Sequence, residues 1–369
     1  MEENPFTPSF GEIPPHLAGR ADIIRAFLRA FEGQNRKPEL TTIFSGARGT
    51  GKTALMAYLA DCAERSGWIA VRTTAIPGMM EDVEVQVQRK ASHLLDVSPK
   101  IAVGHVGIPD VFSLDLSGAA PALNNWRSRM EDVLDQLGEH GTGLAIIVDE
   151  VDPSLDEMIQ IAAIYQQFVI DRRKVALIMA GLPHNTSTLI TNKTVSFLRR
   201  ANQVLLARIE DYEIEKALAR TVADGKRAID PEGLRLASRA IGGFPFMLQL
   251  VGYHAWDENP AEETISAESF RTAIEIARRE MSSRIFAATF SELSPEDIRF
   301  LGAMLEDPGD SSIADIAARL DRSSSQVAQY RRRLIDAGII GRRSRGVIGF
   351  DLPFFRKYLE ERLEDEGLA

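Results

Sequence analysis

Eight consecutive residues of the sequence have the types and spacing needed to bind phosphate groups. They run from Gly46 to Thr53 and read Gly-Ala-Arg-Gly-Thr-Gly-Lys-Thr. The glycines allow the backbone to curl so that successive N–H groups point into one hollow. In this pattern the lysine contacts the outer phosphates of a nucleotide and the hydroxyl after it ligates Mg²⁺. The predicted phosphate-binding residues are Gly46, Ala47, Arg48, Gly49, Thr50, Gly51, Lys52 and Thr53.

Such a loop binds phosphate only between a strand and a helix. Leu40–Ser45 is short and β-rich, which predicts a strand directly before the loop. Thr53–Ala63 is predicted to be a helix, because Leu55, Leu59 and Cys62 fall on one face. The N-terminus of that helix adds the positive end of its dipole to the site. The loop therefore stands in the setting that phosphate binding requires.

Two carboxylates follow a second predicted strand. Leu144–Val148 is a continuous apolar run, as expected of a central strand buried on both faces, and it ends in Asp149 and Glu150. Parallel sheets bind ligands at the carboxyl ends of their strands. Asp149 is therefore predicted to hold Mg²⁺ through water, and Glu150 to activate the water that attacks ATP. The alternative is a solvated acidic turn, since Asp152 continues the acidic run.

Further strands alternate with helical stretches along the first 210 residues. The strand candidates are Trp68–Thr73, Val175–Ala180 and Val204–Ile209. Alternation of this kind predicts an α/β fold with a mostly parallel sheet covered on both faces. The chain between Lys52 and Asp149 is longer than one strand and two helices require, and residues 96–125 hold much of the surplus. Within them, Ile101–Leu116 is interpreted as a β-hairpin or an extended insertion.

The chain resembles the AAA+ ATPases of the origin-recognition and archaeal-ATPase branch. Pro15–Arg20, followed by an amphipathic helix, is similar to the segment that begins their nucleotide-binding domain. Gly46–Thr53 and Asp149–Glu150 match their Walker A and Walker B motifs. Gly242–Phe246 is similar to the Gly-x-Pro signature of the related STAND NTPases. The resemblance implies a P-loop AAA+ domain at residues 1–210, a helical lid at 211–290 and a winged-helix domain at 291–369.

The resemblance also implies residues that act on the γ-phosphate. Asn185, or else His184, stands where the family has a polar sensor, with a plain turn as the alternative. Arg199 and Arg200 stand where an arginine finger would reach a neighbouring subunit. The resemblance thus implies a homo-oligomer with a shared ATP site, and Arg200 is the residue predicted to act as the finger. The alternative is a pair of surface arginines at a helix end. Many members carry a second sensor arginine in the lid, and residues 243–250 have none.

The predicted lid consists of helices. Asp230 and Pro231 form a cap and a first-turn proline, and the expected helices are Asp211–Lys226, Pro231–Ala240, Phe244–Trp256 and Ala267–Arg284. A lid of this kind covers the nucleotide and moves with its state.

The C-terminal residues read as helix, turn, helix and hairpin, which resembles a winged helix-turn-helix domain. Ile313, Ile316, Ala317 and Leu320 form one apolar face. Ser323 and Gln326 make a capping-box pattern for a third helix, with Val327, Tyr330 and Leu334 inward and Gly338 as its stop. Two short β runs, Ile339–Arg342 and Val347–Asp351, follow that helix.

Charge separates this module from the rest of the chain. The whole chain carries −10, whereas residues 311–357 contain ten Lys/Arg and four Asp/Glu and so carry +6. A basic module on an acidic body is typical of a local nucleic-acid site. Duplex DNA is the predicted partner, and contacts between this domain and a protein are the alternative. The predicted DNA-binding residues are Gln326, Gln329, Arg332, Arg333, Arg343 and Arg345.

Two functions remain open from the sequence. The first is an ATP-hydrolysing AAA+ protein that couples its nucleotide state to DNA binding through the winged helix. The second is a STAND-like switch with little turnover, whose winged helix contacts DNA or a protein; the missing lid arginine favours it. We expect a cytoplasmic location and no membrane partner. The sequence has a single cysteine, Cys62, no signal-peptide pattern, and no apolar run near 18 residues.

Overall fold

A parallel sheet of five strands organises the N-terminal half of the computed structural model, which describes residues 3–9, 12–95, 119–352 and 354–365. The spatial order of the strands is β2-β3-β4-β1-β5. Strands β3 and β4 are buried almost throughout, because each has a strand on both sides. In chain order the strands are β1 (Thr41–Ser45), β2 (Ile69–Thr74), β3 (Leu144–Asp149), β4 (Val175–Gly181) and β5 (Asn202–Leu205).

The sequence predicted the first four strands closely, but not β5. The predicted strand was Val204–Ile209, whereas β5 begins at Asn202 and ends at Leu205, so only two residues overlap. The backbone then leaves the sheet, since the N–H of Ile209 donates to the carbonyl of Gly243 at 2.9 Å. The hairpin expected at Ile101–Leu116 lies outside the described residues.

Helices cover both faces of the sheet. The helices α1 and α2 pack their aromatic and aliphatic side chains on one face, and α3 to α6 pack on the other. They are α1 (Ala21–Glu32), α2 (Lys52–Arg65), α3 (Met79–Lys90), α4 (Ala119–Glu139), α5 (Asp156–Ile170) and α6 (Pro183–Thr191). Short 3₁₀ helices at Pro38–Leu40 and Ser196–Arg200 precede β1 and β5.

A helical segment follows the sheet. It contains α7 (Asp211–Asp224), α8 (Pro231–Ile241), α9 (Pro245–Glu258) and α10 (Ala267–Met281), with a short parallel pair of strands, β6 (Ala228–Ile229) and β7 (Thr264–Ile265). Asp230 caps α8 by accepting from the N–H of Gly233. The helix predicted over Ala267–Arg284 is helical throughout, but the α-helical pattern ends at Met281 and continues as a π-helical turn, Ser282–Phe286, and then as α11 (Ala287–Ser291).

The C-terminal segment combines three helices with a small antiparallel sheet in the order β8-β10-β9, and ends in a fourth helix. Its elements are α12 (Pro295–Leu305), β8 (Ser311–Ser312), α13 (Ile313–Arg319), α14 (Ser324–Asp336), β9 (Ile340–Ser344), β10 (Val347–Phe350) and α15 (Phe355–Asp365). The predicted capping box joins Ser323 and Gln326 at the start of α14. Val327 and Leu334 are buried, as predicted.

The helical segment and the C-terminal segment share one continuous apolar core. Phe286 of the π-helical turn contacts Phe355 of α15 with ring centroids 5.5 Å apart. The two segments are therefore packed against each other through buried apolar side chains. In the part of the chain that the structure describes, no helix has both the length and the apolar surface to cross a bilayer.

Candidate functional site

The loop predicted to bind phosphate joins the end of β1 to the start of α2. Gly49 and Gly51 have φ angles of +78° and +80°, which place them in the left-handed region that glycine occupies at least cost. Gly51 is the N-cap of α2, so the first N–H groups of that helix open toward the loop. The strand, loop and helix are in the arrangement that the sequence predicted.

Lys52 folds back over the loop. Its Nζ donates to the carbonyl oxygens of Gly46 and Ala47 at 2.9 and 2.8 Å. Burial lowers the pKa of Lys52 to about 8, although the nearby carboxylates of Asp149 and Glu150 act in the opposite direction. An ammonium group held here has lost much of its hydration and gains strongly from a polyanionic ligand.

Thr53 and Asp149 meet where α2 begins and β3 ends. The Thr53 hydroxyl donates to Asp149 Oδ2 at 2.6 Å, and the other carboxylate oxygen accepts from the Glu150 N–H at 2.9 Å. A hydroxyl and a carboxylate are hard oxygen ligands of the kind Mg²⁺ prefers. The residues present therefore fit the predicted metal at Thr53 and Asp149.

Glu150 has an unusual backbone. Its φ is +52°, a conformation that few residues other than glycine adopt, and its side chain is exposed at the rim of a cavity. Strained conformations of this kind cluster at functional sites, where the surrounding structure holds a side chain in a required direction. The Glu150 carboxylate is close enough to Lys52 to act on the pKa of its ammonium.

The cavity has a volume of about 410 Å³ and lies between the loop, the N-terminal residues and the helical segment that follows the sheet. Arg20 supports its floor, since its buried guanidinium donates to the carbonyls of Thr50 and Ala207, each at 3.2 Å. Polar groups of the loop and apolar side chains both line the cavity. The apolar lining residues include Pro8, Pro14, Leu17, Phe246, Leu248 and Ile285.

Arg284 is a cavity residue that the sequence analysis did not find. It belongs to the π-helical turn, and its guanidinium pairs with Glu280 at 2.9 Å. The next side chain, Ile285, comes within 3.9 Å of the position that a Cβ would take on Gly49. The helical segment therefore brings an arginine to the cavity from a π-helical turn that the sequence analysis did not predict.

The predicted sensor and finger residues lie elsewhere. The side-chain amide of Asn185 donates to the carbonyl of Val151 at 2.8 Å, and His184 is exposed. Arg199 and Arg200 are exposed at the end of a 3₁₀ helix. Among the described residues that line the cavity, none of these four is included.

The predicted DNA-binding residues differ in whether their side chains are already bound to other residues of the chain. Arg333 is bound to the buried carboxylate of Asp297 and to the Ser294 hydroxyl, and Arg343 pairs with Asp351 at 2.8 Å. Gln326 uses its side-chain oxygen in the capping box. The remaining three predicted residues, all exposed, are Gln329, Arg332 and Arg345.

Helix α14 faces the nucleotide-binding part of the chain across a cleft of about 460 Å³. Arg48 and His184 line one side of it, and Gln329 and Arg332 line the other. Arg48 also pairs with Glu292, from the connection between α11 and α12, at 2.8 Å. The phosphate-binding loop is therefore in direct contact with the C-terminal segment.

Comparisons with known proteins agree with this architecture. Residues 283–359 match a family described as a domain of unknown function, DUF8462. No curated protein matches the sequence. Among solved structures, the chain is similar to the Walker-type ATPase PABY2304 of Pyrococcus abyssi, with 15% identity, a TM-score of 0.66 and coverage of 93% of this chain and 96% of that one.

A second similar structure is the ORC2 protein of Aeropyrum pernix in ADPNP–ADP complexes. The identity is 14%, the TM-score is 0.61, and 98% of each chain is covered. The ADP form of the same protein gives 13% identity and a TM-score of 0.53. With the parallel five-stranded sheet and its helices, these similarities confirm the predicted AAA+ P-loop ATPase fold.

Proposed function

We propose that this chain binds ATP with Mg²⁺ in the cavity and hydrolyses it. The observation that carries the proposal is the junction of Lys52, Thr53 and Asp149, where a partly buried ammonium lies near a hydroxyl–carboxylate pair whose oxygens are 2.6 Å apart. This junction closes one end of a cavity large enough for a nucleotide.

Each residue of the site has a role in this proposal. The N–H groups of Gly46–Thr53 and the Lys52 ammonium hold the β- and γ-phosphates. Thr53 and Asp149 hold Mg²⁺, which neutralises charge on the phosphate oxygens when it is bound. Glu150 orients a water molecule for attack and accepts its proton. Arg284, once released from Glu280, offers a cation to the phosphates from the lid side.

Nucleotide state would reach the C-terminal segment through the loop. Arg48 is part of the predicted phosphate-binding loop, and its pair with Glu292 joins the loop to the residues before α12. A phosphate bound to the loop would compete with Glu292 for this guanidinium. We propose three domains, at residues 1–210, 211–290 and 291–369, whose relative posture depends on the bound nucleotide.

We propose that the last domain is a winged helix that binds duplex DNA. The support is the local charge of +6 over residues 311–357, within a domain that carries −3 as a whole, and the exposed side chains on α14 and on the hairpin of β9 and β10. Arg332 and Arg345 are ready for phosphate contact. Before they could contact DNA, Arg333 would have to break its ion pair with Asp297, and Arg343 its ion pair with Asp351.

A switch with little turnover is the second candidate. It is favoured by the placement of Asn185 outside the cavity and by the pairing of Arg284 with Glu280. In a single chain the exposed Arg199 and Arg200 would also contribute nothing to catalysis; in a homo-oligomer, Arg200 would reach the neighbouring site. Either form of the protein would still hold nucleotide through Lys52.

Measurement of ATP turnover with and without duplex DNA separates the two candidates. For the ATPase we expect turnover that rises with DNA and falls at least about 100-fold in Glu150→Gln, because the water loses its orienting carboxylate. Retention of nucleotide with negligible turnover in both conditions would establish the switch. Failure of the wild-type chain to bind ATP would refute both.

A further inference from the structure

A short segment, Asn4–Ser9, is docked along helix α9 and is here called the N-terminal arm. The side-chain amide of Asn4 donates to the carbonyl of Tyr253 at 3.0 Å, and the backbone N–H of Thr7 donates to Oε1 of Gln249 at 3.0 Å. These residues belong to no helix or strand. The N-terminal arm is therefore held in place by its contacts with α9.

Phe6 anchors the N-terminal arm. Its side chain is only 2% exposed and belongs to the apolar core that contains α9. The ring fills the space beside Gly252, where any Cβ would overlap it. Gly252 lies inside α9, at a position where glycine favours the helix less than alanine does, because more backbone freedom is lost. The helix thus has a poor helix former at the place where the Phe6 ring must fit.

The N-terminal arm also forms part of the wall of the proposed nucleotide cavity. Thr7, Pro8 and Ser9 line the same cavity as Lys52 and Asp149. This part of the wall reaches the protein surface, since Ser9 is exposed. Its position depends on the contacts that hold the arm on α9, so those contacts determine whether the cavity keeps this wall.

Docking of the N-terminal arm sets one buried ring against the ordering of a chain segment. Burial of an aromatic side chain is favourable, whereas fixing the backbone of each residue opposes docking. Segments held by few buried contacts open locally far more often than the core of a protein unfolds. Loss of the Phe6 ring should therefore free the arm, and with it one wall of the cavity, without unfolding the chain.

We propose that Phe6 positions this wall, and that the N-terminal arm thereby controls how fast bound nucleotide leaves the cavity. With the ring seated beside Gly252, the wall retains the nucleotide; when the ring leaves, the wall opens and the nucleotide escapes. Segments that cover a bound ligand set the rate of its release in many enzymes. Phe6 is a positioning residue, because it acts through Thr7–Ser9. The inference rests on the proposed nucleotide site and adds control of release.

Docking of the arm and binding of nucleotide should favour each other. If the docked arm tightens nucleotide binding, bound nucleotide must favour the docked arm by the same factor, since coupling between two sites is reciprocal. The N–H of Thr7 reports docking directly, because it exchanges rapidly with solvent only when its hydrogen bond to Gln249 opens. Its hydrogen exchange should slow when ADP binds to the full chain.

The test is the dissociation rate of ADP from the full chain, followed by stopped flow as excess unlabelled ADP displaces ADP that carries a fluorescent label. We expect Phe6→Ala to raise this rate about tenfold or more, since lost contacts are expressed mainly in dissociation. Gly252→Ala should raise it as well, because the new methyl group takes the place of the ring while α9 gains a better helix former. Gly302→Ala, inside α12, is the matched control and should release ADP at the wild-type rate, since its Cβ would lie an ordinary 3.8 Å from Leu363.

A size swap tests the same contact a second time. Phe6→Leu combined with Gly252→Ala makes room for the new methyl group, so the rate should return toward that of the wild type. Wild-type rates in both single variants, no recovery in the double variant, or Thr7 exchange that is unchanged by ADP would each overturn control of release and leave the nucleotide site in place. Failure of a folded wild-type chain to bind ADP or ATP would overturn the proposed nucleotide site itself.

Discussion

Gly338, just after helix α14, lies directly against Ala47 of the phosphate-binding loop. A Cβ on Gly338 would overlap the Ala47 methyl group and stand 3.1 Å from the Ala47 Cα. The φ of Gly338 is +72°, in the left-handed region that glycine adopts most readily. The backbone after α14 is therefore in van der Waals contact with the Ala47 methyl group of the loop. We expect a shift of the loop to be transmitted to α14 through this contact.

Gly338→Ala should separate the C-terminal segment from the loop. The new methyl group cannot fit beside Ala47, so we expect the two parts to move apart, which a distance measurement between labels on residues 193 and 345 would detect as an increase of several ångströms. Gly346→Ala is the matched control: Gly346 has a similar φ, +80°, with nothing within 4 Å. Both variants lose about 1 kcal/mol to backbone strain. Equal distances in the two variants would contradict the contact.

Lys52 should make ATP binding depend on pH. Its pKa in the free protein is about 8, because burial disfavours the charged form. Phosphate groups require the ammonium, so ATP binding raises this pKa and takes up a proton when the pH exceeds 8. Affinity should be flat from pH 7 to 8 and then fall about tenfold per pH unit. Lys52→Ala should bind weakly at every pH, and a flat wild-type profile would refute the role.

Thr53→Val should remove the benefit of Mg²⁺ while keeping the shape of the loop. The hydroxyl that lies 2.6 Å from Asp149 is lost, and the metal loses one protein ligand. We expect the increase in ATP affinity caused by Mg²⁺ to shrink about tenfold or more, as measured by titration in Mg²⁺ and in EDTA. Affinity in EDTA should be unchanged; a fall in EDTA as well would show that the loop itself was damaged.

Two neighbouring arginines of α14 should behave differently. Arg332 is exposed, so Arg332→Ala should leave stability unchanged and reduce the salt dependence of DNA binding by about one unit of slope. Arg333 neutralises Asp297, whose carboxylate is buried, and Arg333→Ala should lower the free energy of unfolding by about 1–3 kcal/mol. Urea denaturation and DNA titration at several salt concentrations measure both. An unaltered salt slope in Arg332→Ala would favour a protein partner.

Arg284 should matter for turnover more than for folding. Its side chain lines the cavity and is half exposed, so Arg284→Ala should leave the thermal midpoint within a few degrees of the wild type. We expect ATP turnover to fall at least tenfold, because a cation near the phosphates is lost. Arg279→Ala, an exposed arginine of α10, is the control. Equal turnover in both variants would remove Arg284 from the mechanism.

The phosphate-binding loop and the acidic pair were readable from the sequence because their chemistry is local. Gly46–Thr53 carries its own turn geometry, and the apolar run before Asp149 determines both a buried strand and the place where it ends. The capping box of Ser323 and Gln326 is equally local. In each case, residues a few positions apart fix the conformation through sterics, hydrogen bonds and burial.

The hydrogen bond between Thr7 and Gln249 and the position of Arg284 were decided by tertiary structure alone. Thr7 and Gln249 are 242 positions apart, and Arg333 meets Asp297 over 36 positions. Periodicity shows which face of a helix is apolar, but it does not show which other helix covers that face. The π-helical turn that carries Arg284 also contains Phe286, which is fully buried against distant parts of the chain. Contacts of this kind arise only when distant elements pack together, and that packing is the sum of many small contacts spread over the whole chain.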